Sequence, residues 1–500
     1  MAETGYTQAM IKWLLKFTAS LFVVLVVAYG ILVFVSLEKE PLHPEVVAFM
    51  RPAPIAVAPE RNGYYYWIGL SAPAGENPGQ YGQRLIAELG RRSPDGKDAA
   101  AASAAQELRP VYYEPRALCG RETPPLPCLR FAAQNAARIR ELAKANAELL
   151  RRYLVLIQFD QFASDMPFLG PTDLLPARQD QMSMIALART LDAADVIEGK
   201  AAGAIDRLAA RVRFVRLVHA NSAFLIDRII AQALLAKDLE LLAEVAVSEP
   251  GAAKWVAARV DTIAAPMTAA ERSPLAWIRY EYSSKFASID PDRPEAWRYA
   301  VCEAVLTRIS MDKFIDLSIN DKLDERCGRW DIRLLALAGA PLLDRNAMAN
   351  QRFETIRQVR QIDVPDTFSY LGQFQEVVAA AESQRQADTS WRLRNPVDAW
   401  IGNSLAPDYV ASAKSYHLSA IDLDRLYALT RLAAGLIRDR IKDGEMDAYL
   451  KQPGALDPAT KKPFSWDAAK RQVFFVPLDP WMGTNGRVGG ISGRVGLAVK

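Results

Sequence analysis

The chain has 500 residues, 50% of them hydrophobic and 24% charged, an ordinary globular balance with room for two or three domains. Lys and Arg number 61 against 58 Asp and Glu, a net charge of +3. That surplus is too small for a nucleic-acid-binding surface, so no nucleic-acid partner is expected.

The first element is a run of 21 uncharged residues, Phe17 to Leu37 (FTASLFVVLVVAYGILVFVSL). As a helix it reaches roughly 31 Å, close to the roughly 30 Å hydrocarbon core of a bilayer. Lys12 and Lys16 precede it, and Glu38, Lys39 and Glu40 follow it. By the positive-inside rule residues 1–16 stay in the cytoplasm and the bulk is exported to the periplasm. A cleaved signal has a shorter apolar region, about 7–15 residues, and a small-residue cleavage site. Here the run ends in the bulky Phe34, Val35 and Leu37, which predicts an uncleaved, single-pass inner-membrane anchor at 17–37. The next richest stretch, 220–242, is interrupted by Asp227, Arg228, Lys237, Asp238 and Glu240, so no second span is expected.

Residues 38–60 carry Pro41, Pro44, Pro52, Pro54 and Pro59 and predict an extended linker. Segment 61–128 reads as irregular. Asn62-Gly63 marks a turn, and Tyr64 to Ile68 suits a short strand. A loop follows over 71–82, then a helix over Gln83–Arg91 and a proline-rich stretch to 127.

From Leu129 to residue 387 the apolar periodicity becomes helical. Helices are predicted at Leu129–Phe159, Arg178–Ile197, Ala204–His219, Ala223–Ala236 and Leu239–Val247. Others follow at 251–265, 268–287, 294–319, 331–340 and 367–386. Short joints between them suggest an array of helical hairpins, without a fixed 34-residue repeat. Segment 388–480 contains a helix within Pro407–Lys442. It closes with a β-hairpin that pairs Phe464–Asp467 with Gln472–Val476 over 468–470. Residues 481–500 are a glycine-rich tail with Gly-Arg-Val-Gly at 486–489 and 493–496, expected to be flexible or a weak terminal hairpin. The fold class is therefore mainly α, with small β elements near both ends.

Four cysteines, Cys119, Cys128, Cys302 and Cys327, suit disulfides in an oxidising compartment. Pairing neighbours gives 119–128 and 302–327, contributing roughly 2.7 and 3.5 kcal/mol by loop entropy. Two other connectivities remain formally open. The spacings do not match zinc ligands.

Candidate chemistry is thin. The three histidines, His43, His219 and His417, are far apart in sequence and suggest no metal site or triad. Ser310-x-x-Lys313 with Ser318-x-Asn320 matches a penicillin-binding pattern. However, the two pieces lie eight residues apart without a Lys-Thr-Gly, and Ser36-x-x-Lys39 matches equally well. Asp290/Asp292 and Asp422/Asp424 stand before apolar runs and are expected as helix N-terminal charges. The glycine-rich tail lacks a phosphate-loop pattern. Arg207, Arg211, Arg213 and Arg216 form a basic cluster expected to be a solvated, salt-bridged face.

Several segments, in order, resemble a family of uncharacterised proteobacterial envelope proteins with one N-terminal anchor. They are Asn62-Gly63-Tyr64-Tyr65 through Gly69-Leu70-Ser71-Ala72-Pro73-Ala74-Gly75, the Cys119…Cys128 pair, and Asn395-Pro396-Val397. Further along come Pro407-x-Tyr409 with His417 and Asp422, then Asp457-Pro458-Ala459-Thr460-x-x-Pro463-Phe464-x-Trp466. The resemblance implies no activity. The closing element also has a faint likeness to the Asp-Pro ends of pilin-like proteins, from which the long helical body departs. The sequence thus points to a membrane-tethered envelope scaffold or interaction protein with no catalytic residues, cofactor or metal, bound to the bilayer and to an envelope protein. The alternative is a periplasmic hydrolase that cleaves cell-wall glycan or peptide through carboxylates.

Overall fold

A computed structural model describes residues 3–51, 55–91, 118–119, 127–165, 179–288, 297–298, 301–302, 330–362, 366–387, 414–478 and 495–498. These are mainly helical, with one small three-stranded sheet near the C-terminus. The chain divides into two compact units.

The first unit takes residues 1–51, 282–357 and 379–411. Its α1 runs from Glu3 to Val35 as one 33-residue helix. The stretch Lys12–Val35 has a mean hydropathy of 2.6, and none of it is buried. Every side chain from Lys12 to Ile31 is exposed, so this helix has no core-facing stripe. It is long and apolar enough to cross a membrane, and among the described residues no other helix is.

The stretch after α1 differs from the expected extended spacer. Pro44 opens a helix, α2 (Pro44–Met50), because its missing N–H costs nothing in a first turn. The His43 ring accepts the Glu45 amide as the cap. α2 buries Val46 and Phe49, and Phe49 packs on Tyr282 and Phe353. The preceding strap is pinned by polar bonds. Lys39 Nζ donates to the carbonyls of Pro341 and Leu343, and the Glu40 amide donates to Asp344. Asn350 bonds Glu40 and Pro41, and Arg357 pairs with Glu45.

The second unit takes residues 52–281, 358–378 and 412–500 and holds one continuous hydrophobic core. It starts with a correction. Residues expected as a strand form α3 (Gly63–Ile68), capped by Asn62 Oδ1 accepting the Tyr64 amide at 3.1 Å. All six residues are buried. An aromatic run buried on every side needs no period of two, and among the described residues the one strand-like contact beside it is the single bridge Asn62↔Gln161. No β element therefore forms near the N-terminus among the described residues. α4 (Pro78–Arg91) starts earlier than expected, again with proline first.

The helix expected over 129–159 is two, α5 (Cys128–Ala145) and α6 (Ala147–Leu156). They part at Asn146, whose side chain donates to the Leu142 carbonyl. Then come α7 (Gln179–Ile197), α8 (Ala201–Asn221), α9 (Leu225–Ser248) and α10 (Pro250–Ile263). Each packs on its successor, as a hairpin array requires. Two predicted helices, 223–236 and 239–247, are fused in the 24-residue α9, because no glycine or proline interrupts them. α11 (Ala269–Arg272) has a Thr268/Glu271 capping box, and α12 (Leu275–Ser288) follows. Later in the chain come α13 (Trp330–Gly339) and most of α14 (Arg345–Arg360), which belong to the first unit, then α15 (Thr367–Ala387), α16 (Lys414–Arg438) and α17 (Met446–Leu450). α16 returns to pack on α9 and α10.

The predicted hairpin is present as β1 (Ser465–Asp467) and β2 (Gln472–Phe475), antiparallel with Trp466 opposite Val473. A third strand, β3 (Val495–Ala498), adds to β2 with Val473 opposite Leu497. The end of the tail is thus paired, and Val473, Phe475, Val495 and Leu497 close the core beneath it. Cys119 and Cys128 form a disulfide. Cys302 is also disulfide-bonded, and Cys327 lies outside the described residues. Also outside them are Asp290/Asp292, Ser310-x-x-Lys313, Ser318-x-Asn320, Asn395-Pro396-Val397, Pro407, Tyr409, most of 294–319 and most of 481–494.

Candidate functional site

The arginine cluster on α8 is salt-bridged as expected but only partly solvated: Arg213 is exposed, and Arg207 and Arg216 are partly buried. Arg211 is fully buried, with Nη1 2.6 Å from Asp192 and Nε 3.0 Å from Asp238. Asp238 also receives Arg189 at 2.8 Å. Arg207 reaches Asp192 at 2.8 Å and also Asp195, which Arg140 shares. Arg216 clamps Glu271 with two nitrogens, and Arg213 donates to the Ile157 carbonyl. Burial opposes charge on Arg211, but Asp238 and Asp192 outweigh it and hold its pKa well above the usual value. Asp238 likewise resists burial because Arg189 and Arg211 hold its carboxyl below the usual range. These pairs tie α7, α8 and α9 together. Removing one partner would strand a buried charge at a cost of about 3–5 kcal/mol.

Asp422 and Asp424 are not N-terminal charges either, since α16 begins at Lys414. Asp422 pairs with Arg425 at 2.8 Å and accepts the Leu478 amide. Arg425 also forks onto Asp457 and lies over the Phe475 ring at 4.1 Å. This joins α16 to the Asp457-Pro458 turn and to β2. Asp424 accepts the Met267 amide at 2.8 Å and the Thr367 hydroxyl. Both carboxylates therefore hold backbone in place.

The two later histidines enter the same unit. His219 Nε2 is 3.2 Å from both Gln232 and the Tyr416 hydroxyl. Burial pushes its pKa well below the ordinary value, so the ring is neutral. His417 is buried with its ring centroid 4.0 Å from that of Phe374, and burial pushes its pKa down to about 3. A residue without a sequence signal is Glu244. It accepts the amides of Cys128 and Leu129 at the start of α5, and burial lifts its pKa to about 7.

A cleft of about 240 Å³ is formed by α10, α16, α17 and the turn after α17. Asp261, Arg431, Arg438, Tyr449 and Gln452 supply its polar lining, and Gly435 forms part of its wall. Arg431 is half-buried and donates to the Ala264 carbonyl. Burial draws its pKa below the ordinary value, with Asp424 and Asp261 only partly offsetting. Among the described residues no carboxylate forms an ion pair with it. Arg438 is held by Asp439, which also accepts the Tyr449 hydroxyl. Guanidinium, phenol and amide donors around one small space suit an anionic group. The cleft's lining contains no histidine, cysteine or serine, and one carboxylate. Its arginines gave no sequence signal apart from lying on α16 near its end.

No protein-family model, no curated protein and no solved structure matches this chain.

Proposed function

We propose that this chain is a single-pass inner-membrane protein whose helical body lies in the periplasm and serves as an interaction module of the cell envelope. The observation that carries the reading is the stretch of α1 from Phe17 to Val35, which has no charged residue and no buried one and needs a bilayer to cover it. A disulfide at Cys119–Cys128 supports an oxidising compartment. The ordered resemblance to single-anchor envelope proteins supports it too. The cleft favours recognition over turnover. A carboxylate hydrolase needs two carboxyl groups at about 5–10 Å around the substrate, whereas this cleft offers Asp261 beside two arginines. Arg431 is the group we assign to a partner's acidic side chain or terminal carboxylate.

Reporter fusions at residues 2 and 500 test the topology: a cytoplasmic N-terminus and periplasmic C-terminus are expected, and the reverse overturns the assignment. A photo-crosslinking residue in place of Gln452, which lines the cleft, tests the partner in intact cells. A discrete cross-linked protein, lost in Arg431→Ala, is expected. Turnover of envelope polymers without any cross-link would sink the interaction reading.

A further inference from the structure

Helix α13 in the first unit presents its apolar side outward. It buries only Ile332 and Ala336, while Trp330 is 76% exposed, Leu334 58%, Leu335 49% and Leu337 74%. At 100° per residue, Trp330, Leu334 and Leu337 fall within about 60° of one another. A soluble surface rarely carries so concentrated an apolar face.

The position of this helix identifies what covers it. The Tyr29 hydroxyl donates to the Ala338 carbonyl at 3.0 Å. Tyr29 precedes the end of α1 by six residues, so this bond lies roughly 9 Å inside the apolar helix. Ala338 is in the last turn of α13, where carbonyls have no partner within the helix. In water such a carbonyl is solvated; in lipid it needs a protein donor, and Tyr29 is one. Lys39 does the same for the carbonyls of Pro341 and Leu343, just past the end of α1. The C-terminal end of α13 is thereby fixed to the membrane-exit end of α1.

We propose that α13 is a second membrane contact, with Trp330, Leu334 and Leu337 seated at the acyl–headgroup boundary of the leaflet from which α1 emerges. This rests on reading α1 as a membrane span. Trp330 suits the interfacial belt, and the exposed Arg333 extends its charge to the headgroups along an apolar stem. Continuity with α1 selects lipid over a protein partner, because the same surface that leaves α1 bare leaves α13 bare.

The test uses the full chain in vesicles of phosphatidylethanolamine and phosphatidylglycerol containing a diazirine-bearing phospholipid. Adducts are mapped by mass spectrometry after illumination. Labelling of Trp330, Leu334 and Leu337 should exceed that of Leu154 and Val155, apolar residues that are also exposed, at 42% each, but lie in the other unit, by about fivefold or more, well beyond their difference in exposure. A Leu334→Asp/Leu337→Asp variant should lose α13 labelling while α1 stays labelled. Adducts confined to 12–35 overturn the proposal and leave the anchor standing. Absence of adducts from 12–35 overturns the anchor reading itself. Cross-linking of α13 to another protein in cell membranes, without lipid adducts, also overturns the proposal.

Discussion

At the scale of single residues, His219, His417, Asp422 and Asp424 are committed to packing and bracing within the second unit. His417 illustrates the consequence. Its folded pKa of about 3 lies below the ordinary histidine value. Below about pH 6.5 the unfolded chain binds a proton that the folded one refuses, so stability falls as pH falls, by about 1.4 kcal/mol per unit. Between pH 6.5 and 5 the native protein should lose about 2 kcal/mol more than a His417→Leu variant, measured by denaturant unfolding. His219 contributes equally to both proteins, so the difference isolates His417. Identical pH profiles would show that the ring protonates freely. The histidines were visible in the sequence as isolated residues. Their burial was not, because it depends on Phe374 and Tyr416, which lie far from them or on another helix.

At the scale of elements, local signals worked where a helix followed its own periodicity and failed where a partner decided. The break at Asn146 and the continuity of α9 were both missed by the periodicity, and the aromatic segment 64–68 took the conformation that its surroundings buried. α3 and α4 meet through two glycines. A Cβ on Gly82 would lie 1.9 Å from the Tyr65 carbonyl oxygen, and one on Gly69 would lie 2.0 Å from that of Pro78. Neither glycine has a positive φ, so the requirement is close approach, not backbone strain. Gly82→Ala should cost about 1–3 kcal/mol and speed amide exchange across 63–91 by about fivefold or more. Gly251→Ala, in α10 with nothing within 4 Å, is the contrast and should be neutral or mildly stabilising. Equal effects of the two changes would refute the close-packing argument.

At the scale of the whole molecule, a bare apolar helix is joined to a body braced by buried ion pairs and by disulfides. The Cys119–Cys128 bond ties a short described segment to the first turn of α5, where the Cys119 amide also donates to Thr190 on α7. Cys119→Ser/Cys128→Ser should destabilise the protein by about 2–3 kcal/mol on the loop-entropy model. Thermal unfolding of the detergent-solubilised chain should show a melting point lower by several degrees. Reductant should lower the native protein at least as far, because Cys302 is bonded as well. A variant that melts with the native protein would mean that this loop is already ordered without its bond.

The sequence by itself determined the features whose physics is local. The apolar run that becomes α1, the helical periodicity from 129 onward and the β1–β2 hairpin each depend on residues a few positions apart. Tertiary structure decided whatever needs a distant partner. It turned Arg211 inward, where Asp192 and Asp238 on neighbouring helices pair with its guanidinium. It pinned residues 39–45 against 341–357, 302 to 312 positions away. It also paired the end of a glycine-rich tail as β3, because an edge of β2 was open to it. Cross-helix charge pairing and strand addition leave no period in the sequence, so both became legible only when the chain had folded.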